Sequence, residues 1–156
     1  MSSQSGGKQT APSRGVSRRA RIEARATVRP EFYDLDPMNV VWHGNHVRYL
    51  EVARCVLLEQ IGYTYQDMQE SGYAWPVVDL RLRYYRPLRF GQKLEILVAI
   101  VEWENRLKMT YLVTDQASGA KLARGHTVQV AVDLESEEML WQTPPILRAK
   151  LAPYLR

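Results

Sequence analysis

The spacing of apolar and polar residues changes twice along the chain. Before residue 30, apolar and polar residues alternate, and Ala24, Ala26 and Val28 share one face of a predicted strand. After residue 45, apolar residues recur every three or four positions, which predicts a helix of about four turns. The apolar positions of this helix are Val47, Leu50, Ala53, Leu57 and Ile61. Gly62 is expected to end it, because glycine readily adopts the left-handed conformation found there.

A second, shorter helix is predicted from Tyr65 to Glu70, and from Tyr73 the alternating period returns. Runs of β-branched and aromatic residues between turn residues then predict four strands. These strands run from Trp75 to Tyr85, Lys93 to Trp103, Arg106 to Thr114 and Lys121 to Asp133. A short terminal helix is predicted from Ile146 to Leu155, opened by the two prolines before it.

One strand, a long helix and an antiparallel run of strands predict an α+β fold. We expect a single five-stranded antiparallel sheet wrapped around the long central helix. Pro30 follows the first strand, which favours an edge position or a bulge for that strand. One helix covers only one face of such a sheet, so the open face and edges predict a dimer or a tetramer.

The length of 156 residues fits one folded domain, residues 21–156, behind an amino-terminal tail. The tail, residues 1–20, is rich in serine, glycine and basic residues and lacks an apolar period, so we expect it to be disordered. A basic tail can contact nucleic acid. No nucleic-acid-binding motif accompanies this one, and nucleic acid is therefore not an expected partner.

Composition excludes several classes of protein. No apolar run is long enough to span a membrane, and no apolar segment of a secretory signal opens the sequence, so we expect a cytoplasmic protein. Cys55 is the only cysteine, which excludes an internal disulfide and a cysteine zinc site. The three histidines lack the spacing of metal ligands, so neither a metal nor another cofactor is expected.

The residues with the most chemical potential lie between Phe32 and Asn45, in the string Phe-Tyr-Asp-Leu-Asp-Pro-Met-Asn-Val-Val-Trp-His-Gly-Asn. Asp34 and Asp36 fall on a predicted turn, and His43 falls where the long helix should begin. The unpaired N–H groups and the dipole at a helix start stabilise negative charge. A carboxylate beside them would pair a base or nucleophile with donors for an oxyanion. The alternative is that both aspartates only stabilise the turn.

The wider string resembles the signature of the hot-dog thioesterases, in particular the 4-hydroxybenzoyl-CoA thioesterase and YbgC-like branch. It reads Asp-x-Asp-Pro-x-x-Val-Val-Trp-His-Gly-Asn and continues as Arg-Tyr-Leu-Glu-x-Ala-Arg. The resemblance, which extends loosely over residues 23–143, implies a hot-dog acyl-CoA thioesterase that needs no cofactor. It also implies that Asp36 is the general base or nucleophile. Backbone N–H groups at His43 and Gly44 are then the donors that polarise the thioester carbonyl.

Other residues are predicted to contact the substrate, an acyl-CoA or an acyl-carrier-protein thioester. Those within the motif are Tyr33, Val41, Trp42 and Asn45. The acyl group is expected in an apolar slot between helix and sheet, near Tyr49, Trp75 and Val77. The phosphates of coenzyme A, or the acidic surface of a carrier protein, favour a cluster of arginines at the mouth of the site. The candidates for this cluster are Arg81, Arg83, Arg86, Arg89 and Arg106.

Several neighbours of Asp36 are predicted to have structural roles. Asp34 is expected to stabilise the turn, Asn45 to cap the helix, and His46 to be exposed. Related thioesterases often have a glycine in the pair after Asp-Pro, where this chain has Met38 and Asn39. Asparagine also tolerates the left-handed conformation, so the turn is expected to survive.

Three other functions stay open at this point. Residues 71–76 and 104–108 look like thioesterases that accompany polyketide-like polyene synthesis, which favours an acyl-carrier-protein substrate. A hot-dog dehydratase or hydratase would act on a hydroxyacyl or enoyl chain, but the spacing of Asp36 and His43 resembles the thioesterases better. A non-catalytic acyl-CoA sensor would use the basic tail on DNA, although residues 1–25 show no helix-turn-helix pattern.

Overall fold

The structure, a computed structural model, describes residues 22–155 of the chain. In chain order its strands and helices are β1 (Ile22–Val28), α1 (Asn45–Ile61), α2 (Tyr65–Glu70), β2 (Tyr73–Ala74), β3 (Val77–Tyr84), β4 (Leu94–Glu102), β5 (Leu107–Asp115), β6 (Lys121–Gln129), β7 (Val132–Asp133) and α3 (Pro145–Leu151). Short 3₁₀ turns lie at Phe32–Asp34 and Ala152–Tyr154. The predicted tail, residues 1–20, lies outside the described residues, and the domain boundary after it stays a prediction.

Five strands form one antiparallel sheet in the order β1-β4-β5-β6-β3. This confirms the predicted five-stranded sheet and the edge position of β1. The other edge is β3, whose partner on the inner side is β6. Because β3 pairs on one side only, its outer N–H and C=O groups are unpaired within the sheet.

Helix α1 lies against β1 and β4 and buries one face on the sheet. The residues on that face are His46, Tyr49, Leu50, Ala53, Arg54, Leu57, Leu58 and Ile61. The helix ends at Gly62, whose φ of 72° confirms the predicted left-handed residue. Val47 was predicted on the apolar face but is exposed, and the neighbouring His46 takes the buried position in the first turn instead.

The last predicted strand is divided in the structure. β6 ends at Gln129, and the chain then turns so that β7 pairs with β2 in a separate two-stranded ribbon. The buried Gln129 side chain donates to the Trp75 carbonyl at 2.8 Å, and Val130 N–H donates to the Pro76 carbonyl at 3.3 Å. The predicted terminal helix is likewise shorter, because Pro153 cannot continue the α-helical hydrogen-bond pattern beyond α3.

Apolar side chains of the edge strand β3 remain uncovered by the rest of the chain. Val78 is 56% exposed, Tyr84 45% and Leu80 38%. The core lies instead under α1, where the inward side chains of β4 and β5 are almost fully buried. The exposed strip along β3 is therefore one apolar surface that folding of a single chain leaves in contact with water.

Within residues 22–155, no helix combines the length and apolar character needed to cross a lipid bilayer.

Candidate active site

The segment between β1 and α1 folds into a tight loop that carries Asp36. Leu35 and Val41 face each other in an isolated antiparallel bridge at the base of the loop. Asp36 N–H donates to the Val40 carbonyl at 2.8 Å, and Asn39 N–H donates back to the Asp36 carbonyl at 3.0 Å. Asn39 has a φ of 63°, which confirms that asparagine supplies the left-handed residue of this turn.

The two carboxylate oxygens of Asp36 have different environments. Oδ1 accepts the N–H of Met38 at 2.8 Å and, more weakly, that of Val40 at 3.4 Å. Oδ2 accepts no hydrogen bond from any residue that the structure describes. Oδ1 therefore stabilises the turn, which is the role that the alternative prediction gave to the whole side chain. Oδ2 is available to a ligand.

Asp34, which the sequence predicted to stabilise only the turn, is buried and also binds residues of α1. It is only 2% exposed. Oδ2 accepts the Tyr49 hydroxyl at 2.7 Å and the Glu31 N–H at 3.0 Å, while Oδ1 accepts Arg48 at 3.2 Å. Burial alone would raise the pKa of this carboxyl, but these hydrogen bonds and the Arg48 charge outweigh burial and lower the pKa. Asp34 thus ties the turn to the first two turns of α1.

Helix α1 begins at Asn45, one residue earlier than an Asn45 cap would place it. Gly44 is the N-cap residue, so the prediction that Asn45 caps the helix was wrong. The Asn45 amide group instead donates to the Asp34 carbonyl at 2.9 Å, and its oxygen accepts Arg48 at 3.2 Å. Trp42 N–H donates to the same Asp34 carbonyl at 2.9 Å. Asn45 therefore connects the loop to the helix start and has its polar atoms engaged.

Two consecutive backbone N–H groups, those of His43 and Gly44, meet no acceptor within residues 22–155. The N–H groups that follow are used inside the chain. Asn45 N–H donates to the Trp42 carbonyl at 2.9 Å, and His46 N–H to the His43 carbonyl at 3.4 Å. The start of α1 thus presents two unpaired donors at the positive end of the helix dipole.

Gly44 is also required by its contact with the Trp42 ring. A Cβ at position 44 would lie only 2.2 Å from the nearest ring carbon of Trp42. The Trp42 ring is 51% exposed, and its centroid is 5.1 Å from that of the His43 ring. The absence of a side chain at Gly44 therefore lets an aromatic ring cover one side of the helix start.

A cavity of about 330 Å³ lies between the loop, the start of α1 and the end of β3. Its lining residues are Asp36, Val40, Val41, His43, His46, Tyr84, Tyr85, Arg86 and Pro87. The structure thus brings together four residues that the sequence predicted for the site: Asp36, Val41, His43 and Arg86. Val41 is nearly fully buried and contributes apolar wall.

Two predicted aromatic contacts lie away from this cavity. Trp75 is buried and donates from Nε1 to the Tyr63 hydroxyl at 3.3 Å, just beyond the end of α1. An α-helix rises 1.5 Å per residue, so the 17 residues of α1 separate that end from the Asp36 loop by about 25 Å. Tyr33 is 66% exposed, and its ring packs against the ring of Phe32.

The predicted arginines do not form one cluster within the chain. Arg81 and Arg83 pair across the sheet with His126 and Arg124, which line a depression on the face of the sheet opposite α1. Successive strand residues face opposite sides, so Arg81 and Arg83 are directed away from the face that carries Tyr84. Arg106 lies at the far hairpin, with Nε 3.0 Å from Glu102. Only Arg86 lines the Asp36 cavity, while Arg89 lines a neighbouring depression that Arg86 shares.

His46 was predicted to be exposed, but it is only 3% exposed. Its ring packs edge to face against Tyr84, with centroids 4.6 Å apart, and its buried Nδ1 has no hydrogen-bond partner in the described part of the chain. Burial, followed by the nearby His43, lowers its pKa to about 4. The sequence did carry a signal, because His46 precedes Leu50 and Ala53 at helical spacing on the buried face.

We expect the free energy of unfolding to fall as the pH drops from 6.5 towards 4. The unfolded chain binds a proton at His46 near pH 6.5, whereas the folded protein resists it until the pH is close to 4. This contribution to stability is present above pH 6.5, and about 3 kcal/mol at most is lost on acidification. His46→Phe keeps a ring against Tyr84 and should remove this part of the pH dependence. Urea unfolding across the range measures it, and identical pH dependence in both proteins would contradict the assignment.

No cluster of three or more histidine, cysteine, aspartate or glutamate side chains suited to a metal ion occurs among the described residues.

Comparison with known proteins gives a consistent result. The family profile described as the Thioesterase-like superfamily matches residues 30–153. A Synechocystis protein with a provisional esterase name is 33% identical over 125 residues, which are 80% of this chain and 75% of that protein. The acyl-CoA thioester hydrolase YbgC of Escherichia coli is 29% identical over 113 residues, or 70% of this chain and 81% of YbgC.

Solved structures share the architecture. A Thermus thermophilus protein described as hypothetical superposes with a TM-score of 0.75 at 29% identity, covering 83% of this chain and 98% of that one. A 4-hydroxybenzoyl-CoA thioesterase solved with 4-hydroxybenzoyl-CoA has a TM-score of 0.73 at 20% identity, again covering 83% and 98%. These likenesses confirm the predicted hot-dog fold.

Proposed function

Because the chain belongs to the Thioesterase-like superfamily, we propose that it hydrolyses an acyl-CoA thioester to a carboxylic acid and free coenzyme A, with Asp36 and the start of α1 as the catalytic groups. One observation carries this proposal. The carboxylate of Asp36, with one unbound oxygen, lines the same cavity as His43, where the unpaired N–H groups of α1 begin.

The helix start supplies the electrostatic part of the reaction. The thioester carbonyl oxygen gains negative charge as its carbon is attacked, and donors already in place stabilise that charge without reorganising. The N–H groups of His43 and Gly44 have no competing acceptor in the described chain, so both are free to bind this oxygen. Loss of one such donor in other enzymes costs roughly a hundred- to a thousandfold in rate.

Asp36 supplies the second part, by either of two routes. As a general base it takes a proton from water while the water oxygen bonds to the carbonyl carbon. As a nucleophile it forms an acyl anhydride and expels the thiolate, and water then hydrolyses the anhydride. On both routes the carbon–sulfur bond breaks, the sulfur ends as a thiol, and the carboxylate is regenerated. The hydrogen bonds on Oδ1 leave Oδ2 as the reacting oxygen.

The remaining predicted residues fit this proposal to different degrees. Arg86 lines the cavity and offers a charge for a phosphate group of coenzyme A. The exposed ring of Trp42 offers apolar surface beside the helix start, whereas the exposed ring of Tyr33 lies outside the cavity. Trp75 lies beyond the far end of α1, and Arg81 and Arg83 lie on the outer face of the sheet. Substrate contacts at these three residues stay predictions. They would require a long ligand or a site completed by a second copy of the chain.

We also propose that the protein is at least a dimer formed along β3. This strand has one unpaired edge and exposes Val78, Leu80 and Tyr84, a surface that pairing with a second copy would cover. Light scattering on the purified protein should give a mass of two or four chains of 18.0 kDa each. A mass of one chain at micromolar concentration would contradict it.

The function is tested by measuring free thiol and free acid released from a panel of aliphatic and aromatic acyl-CoA esters and acyl-carrier-protein esters. We expect equal amounts of thiol and acid from at least one group of acyl-CoA esters. If only the carrier-protein esters are hydrolysed, the substrate is an acyl-carrier-protein thioester and not an acyl-CoA thioester. Formation or loss of an enoyl double bond without thiol release would identify a dehydratase or hydratase, and tight binding without turnover would identify a sensor. Each of these three results would overturn the proposal.

A further inference from the structure

Tyr84 connects the end of β3 to the start of α1 through two separate contacts. Its ring packs edge to face against the buried His46 ring, at an interplanar angle of 84°. Its hydroxyl donates to the His43 carbonyl at 2.9 Å. No local sequence pattern indicates this link, because the two partners lie 41 positions apart along the chain. Tyr84 therefore ties the end of β3 to the start of α1.

The carbonyl that Tyr84 binds belongs to the same peptide group as the Gly44 N–H. A trans peptide is planar, so its C=O and N–H bonds point in opposite directions. All peptide bonds in the described part of the chain are trans. A donor that fixes the direction of the His43 oxygen consequently fixes the direction of the Gly44 N–H, which has no acceptor of its own there.

The Tyr84 hydroxyl is the stronger of the two donors to this oxygen. The other is the His46 N–H, at 3.4 Å, which is near the limit for a hydrogen bond. Hydrogen bonds in series also polarise one another, so a donor on the carbonyl strengthens the N–H of the same peptide as a donor. Burial raises the pKa of Tyr84, so its phenol stays protonated and able to donate near neutral pH.

We propose that Tyr84 is a positioning residue, whose hydroxyl orients and polarises the His43–Gly44 peptide so that the Gly44 N–H stabilises the oxyanion. This rests on the proposed function, and it assigns to the end of β3 a role in the reaction that the motif does not contain. The His46 ring holds the Tyr84 ring in place, and the hydrogen bond from the Tyr84 hydroxyl orients the His43–Gly44 peptide.

The test is Tyr84→Phe, which removes the hydroxyl and keeps the ring on His46. We expect kcat for the best acyl-CoA ester to fall by about tenfold or more, with KM changed less than twofold, because the donor acts mainly in the transition state. Tyr154→Phe is the matched control. Its hydroxyl also donates to a carbonyl of α1, that of Gln60 at 3.0 Å, but at the opposite end of the helix. It should leave kcat unchanged.

A second measurement separates positioning from a general loss of stability. The Gly44 amide signal in a ¹H–¹⁵N spectrum should shift in Tyr84→Phe and stay in place in Tyr154→Phe, because only the first change alters the carbonyl of that peptide. Both variants lose one phenol–carbonyl bond, so urea unfolding should show similar, small losses of stability in the two.

The outcomes distinguish the two proposals. A wild type that needs Asp36, together with a Tyr84→Phe variant of unchanged kcat, would overturn the role of Tyr84 and leave the thioesterase proposal standing. An equal fall of kcat in Tyr154→Phe, or an unmoved Gly44 signal in Tyr84→Phe, would also overturn it. A wild type without thioesterase activity would overturn both.

Discussion

Asp36→Asn should lower kcat for thioester hydrolysis by about a hundredfold or more, the scale expected when a general base or nucleophile is lost. Asparagine keeps an oxygen at the Oδ1 position, so it can still accept the N–H groups of Met38 and Val40 that hold the turn. It lacks the negative charge and the basicity that either catalytic route needs. The substitution therefore removes the chemistry and retains the loop.

Asp133→Asn is the matched control for this experiment. Asp133 also accepts two backbone N–H groups through Oδ1, those of Glu135 and Ser136 at 2.8 and 3.0 Å, in a turn remote from the cavity. Its substitution should leave kcat unchanged. Asp36→Ala should lose activity as well, but it also removes the acceptor that stabilises the turn. Near wild-type kcat in Asp36→Asn would show that the catalytic carboxylate lies elsewhere.

Asp34→Asn should lower the free energy of unfolding by about 2–4 kcal/mol, because it disrupts a buried, charge-assisted network. The carboxylate of Asp34 receives three donors, from Tyr49, Glu31 and Arg48. Asparagine has only one acceptor oxygen, so its amide hydrogens would be turned towards donors that the carboxylate now satisfies. Chemical denaturation of the two proteins measures the difference.

A double-mutant cycle with Tyr49→Phe isolates the strongest pair of this network. We expect a coupling energy of about 1 kcal/mol or more between Asp34 and Tyr49, since both groups are buried. The pKa of Asp34 is lowered on folding, so its contribution to stability is present above pH 3.8 and is lost as the pH falls through the lowered value. Asp34→Asn should lack this acid dependence. An effect below about 0.5 kcal/mol would show that the network contributes little.

The periods of the sequence predicted most of the fold because each element has one buried face. Alternation located β4 and β5 to within one or two residues, and helical spacing located α1. Gly62 and Asn39 were predictable for a local reason, since few residues tolerate a positive φ. The break after Gln129 was not predictable, because it follows from a hydrogen bond to Trp75, which lies 54 residues away in sequence.

The candidate site was predicted less completely, because its geometry depends on contacts between distant segments. The motif correctly placed Asp36 in the loop before the long helix and His43 at the start of that helix. The burial of Asp34 depends on Tyr49 of α1, and the role of Asn45 depends on the Asp34 carbonyl. The position of Tyr84 beside His43 depends on the register of the whole sheet, which no local pattern specifies.

The positions of the arginines of β3 also depend on contacts between segments that are distant in sequence. Alternation correctly predicted that Arg81 and Arg83 share a side of β3, but it could not say which side faces the helix. The register with β6 decides this, since Arg81 lies opposite His126 on the outer face. Arg86 lies beyond the end of β3, so strand alternation does not determine the direction of its side chain, and it lines the cavity.

The catalytic role of Asp36 is tested most directly by a single-turnover measurement on wild type and Asp36→Asn, using the best acyl-CoA ester from the panel and enzyme in excess. Thiol release gives the chemical step, and binding of a non-hydrolysable thioether analogue gives the affinity separately. We expect unchanged affinity and thiol release at least about a hundredfold slower in Asp36→Asn. Thiol release at the wild-type rate, with the analogue bound equally well, would contradict the assignment of Asp36 as the catalytic carboxylate.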